Sequence, residues 1–180
     1  INMAFWSDGT GNDPKRGFRW ILLMDDIPVY TVKKVTKPAF TVQESTHQYI
    51  NHTYYYPGRV EWQTVSMTLV DPVQPDAAQT LVEIVRDAGY APATDDTDYG
   101  TMSKAKSVNS LGKVRIRQID SDGKMIEEWS LNNAWVKDVK FGDLDYESDD
   151  LTEIEVELRY DWAEIATANA GARGSTRNWV

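Results

Sequence analysis

The amino-acid sequence predicts a mainly β fold: a two-sheet antiparallel β-sandwich or split barrel with one flanking α-helix at about residues 75–88. Three observations carry this. Apolar and polar residues alternate with period two, most plainly at Val65, Met67 and Leu69 and again at Ile154, Val156, Leu158, Tyr160 and Trp162, the pattern of strands with one buried face. Seven Trp and nine Tyr in 180 residues supply flat amphipathic rings suited to pleated, half-buried surfaces. Only one segment repeats at helical spacing, which excludes a βαβ series and with it a doubly wound sheet.

Taken in order, residues 1–17 hold Gly, Asn, Asp and Pro around Phe5 and Trp6 and read as a flexible N-terminal arm. Residues 18–24 and 27–32 read as two strands of a hairpin about Asp25-Asp26. A third extended segment at 39–56 is polar and lacks clean alternation, which suggests that part of it is a projecting loop. In "YYPGRVEWQTVSMTLVD", residues 55–71, Val60 and Trp62 share one parity and Val65, Met67 and Leu69 the other. A β-bulge near Gln63 and Thr64 would restore a single buried face and bend the strand into a curved sheet; an ordinary sandwich strand is the alternative.

The helix follows. Pro75 suits a first-turn position, Asp76 favours the positive helix start and Gly89 is a stop. Ala77, Ala78, Leu81, Val82, Val85 and Ala88 form the expected apolar stripe, with Gln79, Glu83, Arg86 and Asp87 facing out. Residues 91–111 read as a long polar connection. Residues 113–119 and 124–131 flank Asp122-Gly123, a strong hairpin signal. Residues 134–141 make another strand, an acidic loop follows, and "LTEIEVELRYDW" closes the sheet. Residues 164–180 read as a C-terminal arm, leaving 18–163 as a single β domain.

Composition narrows the function. Without Cys there is no disulfide, thiolate zinc site or Cys nucleophile. No apolar run approaches the roughly 20 residues of a membrane span and no signal peptide is visible, so the chain reads as cytosol-made and soluble, with no membrane insertion. A net charge of −9 argues against tight nucleic-acid binding. Nine acids and one base lie between Asp143 and Asp161, so nearly all the imbalance sits in one loop and the strand after it.

Catalytic chemistry finds little support. His47 and His52, the only two imidazoles, point to opposite faces of an extended chain, which disfavours a shared metal. Glu153, Glu155 and Glu157 share a face, but a row of like charges without apolar shielding reads as a solvated strand. No phosphate loop, nucleophile elbow or His–acid pair stands out. The expectation is a non-enzymatic protein with no cofactor. An enzyme would need a pocket holding perturbed acids. A monomeric β-sandwich binding module, with Tyr54, Tyr55 and Tyr56 along a groove, is a further reading.

Two features favour a subunit of an assembly. Lys113, Arg115 and Arg117 form a basic row and Glu153, Glu155 and Glu157 an acidic one, able to pair within a subunit or across a subunit boundary. Open sheet edges, two arms and two long loops exceed what a solitary domain needs.

The order of elements also carries a resemblance. A strand opened by Pro57-Gly58, then Trp62 and "VSMTLVD", one amphipathic helix, a hairpin, a strand bearing Trp135, an acidic loop and a strand ending "LRYDW" together resemble the tail tube proteins of contractile-tailed bacteriophages. The likeness spans residues 18–163 and is strongest at 57–72 and 151–162. It implies hexameric rings, joined by edge-to-edge strands around a lumen and stacked into a conduit for genome and tape-measure protein during DNA ejection. Sheath, tape-measure, baseplate and tail terminator proteins are the implied partners, and the virion the implied location, after synthesis in host bacterial cytoplasm. The resemblance places Glu44, His47, Tyr49, His52 and Tyr54 at ring-stacking contacts, together with the two arms, and makes Glu127, Asp138, Asp143 and Asp145 candidates for an acidic lumen that repels phosphate. The 143–150 loop facing outward to a sheath is the alternative. The inner tube of a type VI secretion or contractile injection system, passing protein, resembles the same pattern.

Overall fold

The computed structural model describes residues 14–168. Residues 1–13 of the expected N-terminal arm and 169–180 of the C-terminal arm lie outside that range. Ten strands and two α-helices follow one another as β1 Trp20–Leu23, β2 Val32–Val35, β3 Phe40–Tyr49, β4 His52–Trp62, β5 Val65–Val70, α1 Ala77–Asp87, α2 Lys104–Leu111, β6 Val114–Ile119, β7 Met125–Asn132, β8 Trp135–Lys140, β9 Glu153–Arg159 and β10 Trp162–Thr167. Sheet A has the order β1-β6-β7-β10, sheet B the order β2-β5-β9-β8, and β3-β4 form a separate two-stranded ribbon. Every pairing is antiparallel. The expected mainly β sandwich is therefore present.

The period-two residues drive the two sheets together. Leu22, Val114, Ile116, Leu131 and Ala163 from sheet A meet Val65, Met67, Leu69, Ile154, Val156 and Leu158 from sheet B in one buried cluster. Burying such a side chain contributes roughly 1.5–3 kcal/mol. The helices close the core with Ala77, Leu81, Ile84 and Leu111.

Helix α1 begins at Ala77, so Pro75, expected in the first turn, precedes the N-cap instead. The Asp76 carboxylate caps the helix by accepting the Gln79 N–H at 3.0 Å. Gly89 ends it at φ 105°, where an added Cβ would stand 2.7 Å from the Thr101 carbonyl oxygen. Its buried face is Ala77, Leu81, Ile84 and Ala88; Val82, expected inward, is 48% exposed. The true stripe steps by four, three and four and so follows the helix more closely than the one read from the sequence.

Four other expectations are corrected. The polar connection 91–111 contains a second helix, α2, opened by the Ser103 side chain accepting the Lys106 N–H and closed before Gly112. Residues around Asp25-Asp26 do not form a hairpin: β1 joins sheet A, a 3-10 turn at Val29–Thr31 intervenes, and β2 joins sheet B. No bulge sits at Gln63 and Thr64. The chain leaves the ribbon there and enters sheet B, so the parity flip marks a change of sheet. The same happens at Tyr160 and Asp161, where "LRYDW" divides between β9 and β10; residues 164–167, assigned to the C-terminal arm, pair with β7 instead.

Candidate assembly surfaces

The ribbon β3–β4 stands apart from the core. All ten residues of β3 are exposed, and so are nine of the eleven in β4. The segment expected to be partly a loop is thus a long regular hairpin. At about 3.3 Å per residue β4 spans on the order of 35 Å. Its root is anchored: Phe40 packs edge-on to Trp62 with centroids 5.2 Å apart, Trp62 tilts onto Tyr160 at 5.9 Å, and the Gln63 N–H donates to the Ala39 carbonyl at 2.8 Å. Opposite Gln43 the register slips, so Gly58 and Arg59 share one partner position. A Cβ on Gly58 would fall 2.9 Å from the Gln43 carbonyl oxygen, which explains glycine at this bulge.

The ribbon carries most of the expected stacking residues. Tyr49 pairs with His52 and His47 with Tyr54, while Glu44 lies opposite Pro57. His52 contacts the Tyr54 ring edge-on at 4.7 Å. Phe40, Val42, Tyr49, Ile50 and Val60 are all roughly half or more exposed. Ile50 at the tip has φ 51° and 83% exposure, a left-handed conformation that costs a β-branched residue about 1–2 kcal/mol. Tyr54, Tyr55 and Tyr56, read as a possible groove lining, alternate along this open ribbon and are each about half or more exposed. Among the described residues no group of three or more His, Asp or Glu could hold a metal ion.

Sheet B presents the second surface. Its outer face carries Ser66 and Thr68 between charged rows: Glu153, Glu155 and Glu157 on β9, Asp138 and Lys140 on β8, and Lys34 on β2. The acids are compensated locally. Lys33 bonds Glu153, Lys137 donates to Glu157 at 3.1 Å, and Lys140 lies 3.9 Å from Glu155. Hydrogen bonding to Glu153 raises the Lys33 pKa.

The two charge rows do not meet within the protomer, because β6 lies in sheet A and β9 in sheet B. Arg117 pairs with Glu128 at 2.6 Å and Arg115 approaches the same carboxylate at 3.9 Å. Lys113 touches Asp25 through its backbone N–H at 3.3 Å.

The lumen candidates separate into two kinds. Asp138, Asp143 and Asp145 are exposed, the last two in the loop after β8 where Asp143, Asp145, Glu147, Asp149 and Asp150 gather. Glu127 is 5% exposed and lies on β7. Its carboxylate accepts from Lys15, from Lys37 at 2.8 Å and from the Trp129 indole N–H at 2.5 Å. Burial acts to raise its pKa, but these hydrogen bonds outweigh burial and hold it at about 2. An acid so enclosed offers no charge to a channel; it ties the end of the N-terminal arm and the β2–β3 linker to sheet A. Nothing in the alternation around β7 distinguishes it, and only the separated lysines 15 and 37 complete the clamp.

This arrangement, two open four-stranded sheets with a helical cap and a projecting ribbon, is the fold of the tail tube group. No protein-family model matches the chain, and no curated protein matches it. Among solved structures, a chain in the anti-feeding prophage baseplate, determined by cryo-electron microscopy with six-fold symmetrisation, superposes with TM-score 0.63 at 15% identity over 87% of this chain and 98% of that one. A chain of the PVC sheath–tube complex, from an extracellular contractile injection system in the extended state, gives 0.63 at 13% identity over 86% and 93%. A chain of the corresponding PVC sheath/tube terminator gives 0.64 at 13% identity over 86% and 98%. Among the described residues no helix is long and apolar enough to cross a membrane.

Proposed function

We propose that this chain is a non-enzymatic structural subunit of a contractile-tail tube, closing into hexameric rings that stack into a hollow conduit. The observation that carries this is the unsatisfied architecture of the protomer: sheet B ends in β2 and β8, whose outer edges pair with no other described strand, and the ribbon is exposed on both faces. Edge-to-edge joining of sheet B between copies would remove its open margins, and the ribbon, with Glu44, His47, Tyr49, His52 and Tyr54, would bridge adjacent rings. The ends of the two arms would add ring-to-ring contacts. Arg115 and Arg117 already pair with Glu128, and the β9 glutamates with Lys33, Lys137 and Lys140, which makes Lys113 the freer candidate for a subunit contact.

In a phage tail the conduit would pass genome and tape-measure protein, with sheath, baseplate and terminator proteins as partners in the virion. A second reading, the inner tube of an injection or secretion machine passing protein, gains support from the locally compensated outer face of sheet B. A wall on which lysines accompany the glutamates repels polyanions less than an acidic one would. In either case the acidic excess of the 143–150 loop projects as a block and suits contact with a basic partner outside the tube.

Purified full-length protein imaged by negative-stain electron microscopy, with mass photometry over a concentration series, tests the proposal. Rings or hollow filaments are expected. A monomer at every concentration, with no central bore in any image, would overturn it.

A further inference from the structure

Both margins of sheet B share an irregularity that those of sheet A lack. In β2 the partners step from Val32↔Leu69 to Lys34↔Thr68, leaving Lys33 as an extra residue. In β8 they step from Val136↔Leu158 to Asp138↔Glu157, leaving Lys137 as an extra residue. The marginal strands of sheet A, β1 and β10, pair with β6 and β7 without any shift. Each margin of sheet B thus carries one bulge, and the inserted residue is a lysine in both.

The two lysines behave alike. Each turns to the outer face and binds a glutamate of the strand next to or beyond its neighbour: Lys33 reaches Glu153 across β5, and Lys137 reaches Glu157 on adjacent β9. Lys137 also offsets the like charges of Asp138 and Glu157, which stand directly opposite one another. A bulge interrupts the row of backbone donors and acceptors and increases the local twist, and lysine on an edge opposes the approach of another strand. A flat strand cannot satisfy such a margin along its length.

We propose that Lys33 and Lys137 form a pair of register guards: they bar sheet B from growing by indiscriminate strand addition and admit only a partner edge with a matching bend, supplied by a second copy of this chain. The identity of that partner rests on the tube reading. The guarding of the margins does not.

The test compares wild type with a variant lacking both extra residues, Lys33 and Lys137 deleted, and with the charge variant Lys33→Thr/Lys137→Thr, which keeps the bulges. With circular dichroism showing folded protein, the deletion variant is expected to give a several-fold rise in pelletable, thioflavin-positive material and to lose discrete oligomers, and the threonine variant a smaller rise. Unchanged solubility and oligomer distribution in a folded deletion variant would overturn the proposal. Should that variant not fold, the threonine pair decides: increased irregular association supports the guard and wild-type behaviour overturns it. A wild-type monomer whose deletion variant aggregates keeps the guard and removes the tube; wild-type rings that the deletion leaves intact keep the tube and remove the guard.

Discussion

The sandwich and the ribbon obey the same strand geometry and spend it differently. In sheet B, Val65, Met67, Leu69, Ile154, Val156 and Leu158 are at most 1% exposed, and each outward neighbour is polar or at the surface. In the ribbon, Tyr54, Tyr55, Tyr56 and Val60 are between 47% and 66% exposed, although their residue types favour burial. A two-stranded ribbon alone in water is marginally stable at best, and this one holds together through its rooted base and its backbone ladder. The difference teaches that buried and exposed apolar surface are written into separate regions, the first in β5 and β9 and the second, to which the tube proposal assigns ring-to-ring association, in β3 and β4.

That separation can be broken by substitution. The largest effect is expected at Leu158→Ala, which opens a cavity between the sheets and should destabilise the protomer by about 2–5 kcal/mol, read as a lower denaturation midpoint with the slope unchanged. An unaffected midpoint would mean that the sheets do not share one core.

Glu127→Gln is expected to come next, at on the order of 2–3 kcal/mol near neutral pH. The folded pKa, about 2, lies below the ordinary 4.5, so the stabilisation is present above pH 4.5 and is lost as pH falls towards 2. Wild type should therefore lose stability through that window more steeply than the glutamine variant. Parallel pH profiles for the two would contradict the ion-pair clamp.

The smallest effect on the protomer should come from Tyr54→Ser/Tyr56→Ser, within about 0.5 kcal/mol in thermal unfolding. The same pair should weaken self-association measurably by analytical ultracentrifugation. A large fall in protomer stability with unchanged association would reverse the division of labour between the two regions.

Much of this architecture is legible in the chain because it is locally determined. Asp76 and Gly89 bracket α1 through capping chemistry within a few residues, and the Asp122-Gly123 turn joins β6 and β7 with Gly123 at φ 78°. What escapes is what depends on distant partners. Parity at Gln63 shows that something changes but does not distinguish a bulge from a change of sheet, since both reverse which side faces inward. The second helix is eight residues long and mostly polar, and only Ser103 and Gly112 mark it. Glu127 resembles its less buried neighbour Glu128 in sequence; its burial becomes visible when Lys15, Lys37 and Trp129 converge on it. The bulges at Lys33 and Lys137 are equally silent, because a single inserted residue in a short strand leaves too little alternation to betray it.

The passage from β4 to β5 has a mechanical consequence. Only Gln63 and Thr64 separate the ribbon from an inner strand of sheet B, and the Gln63 N–H is pinned to Ala39 across the root. A load at the ribbon tip therefore travels along covalent backbone into β5 and spreads sideways through its ladders to β2 and β9, instead of being absorbed by a slack linker. The ribbon is a lever whose fulcrum is the Phe40–Trp62–Tyr160 stack, and tension on it is delivered to the sheet that the neighbouring copy would grip.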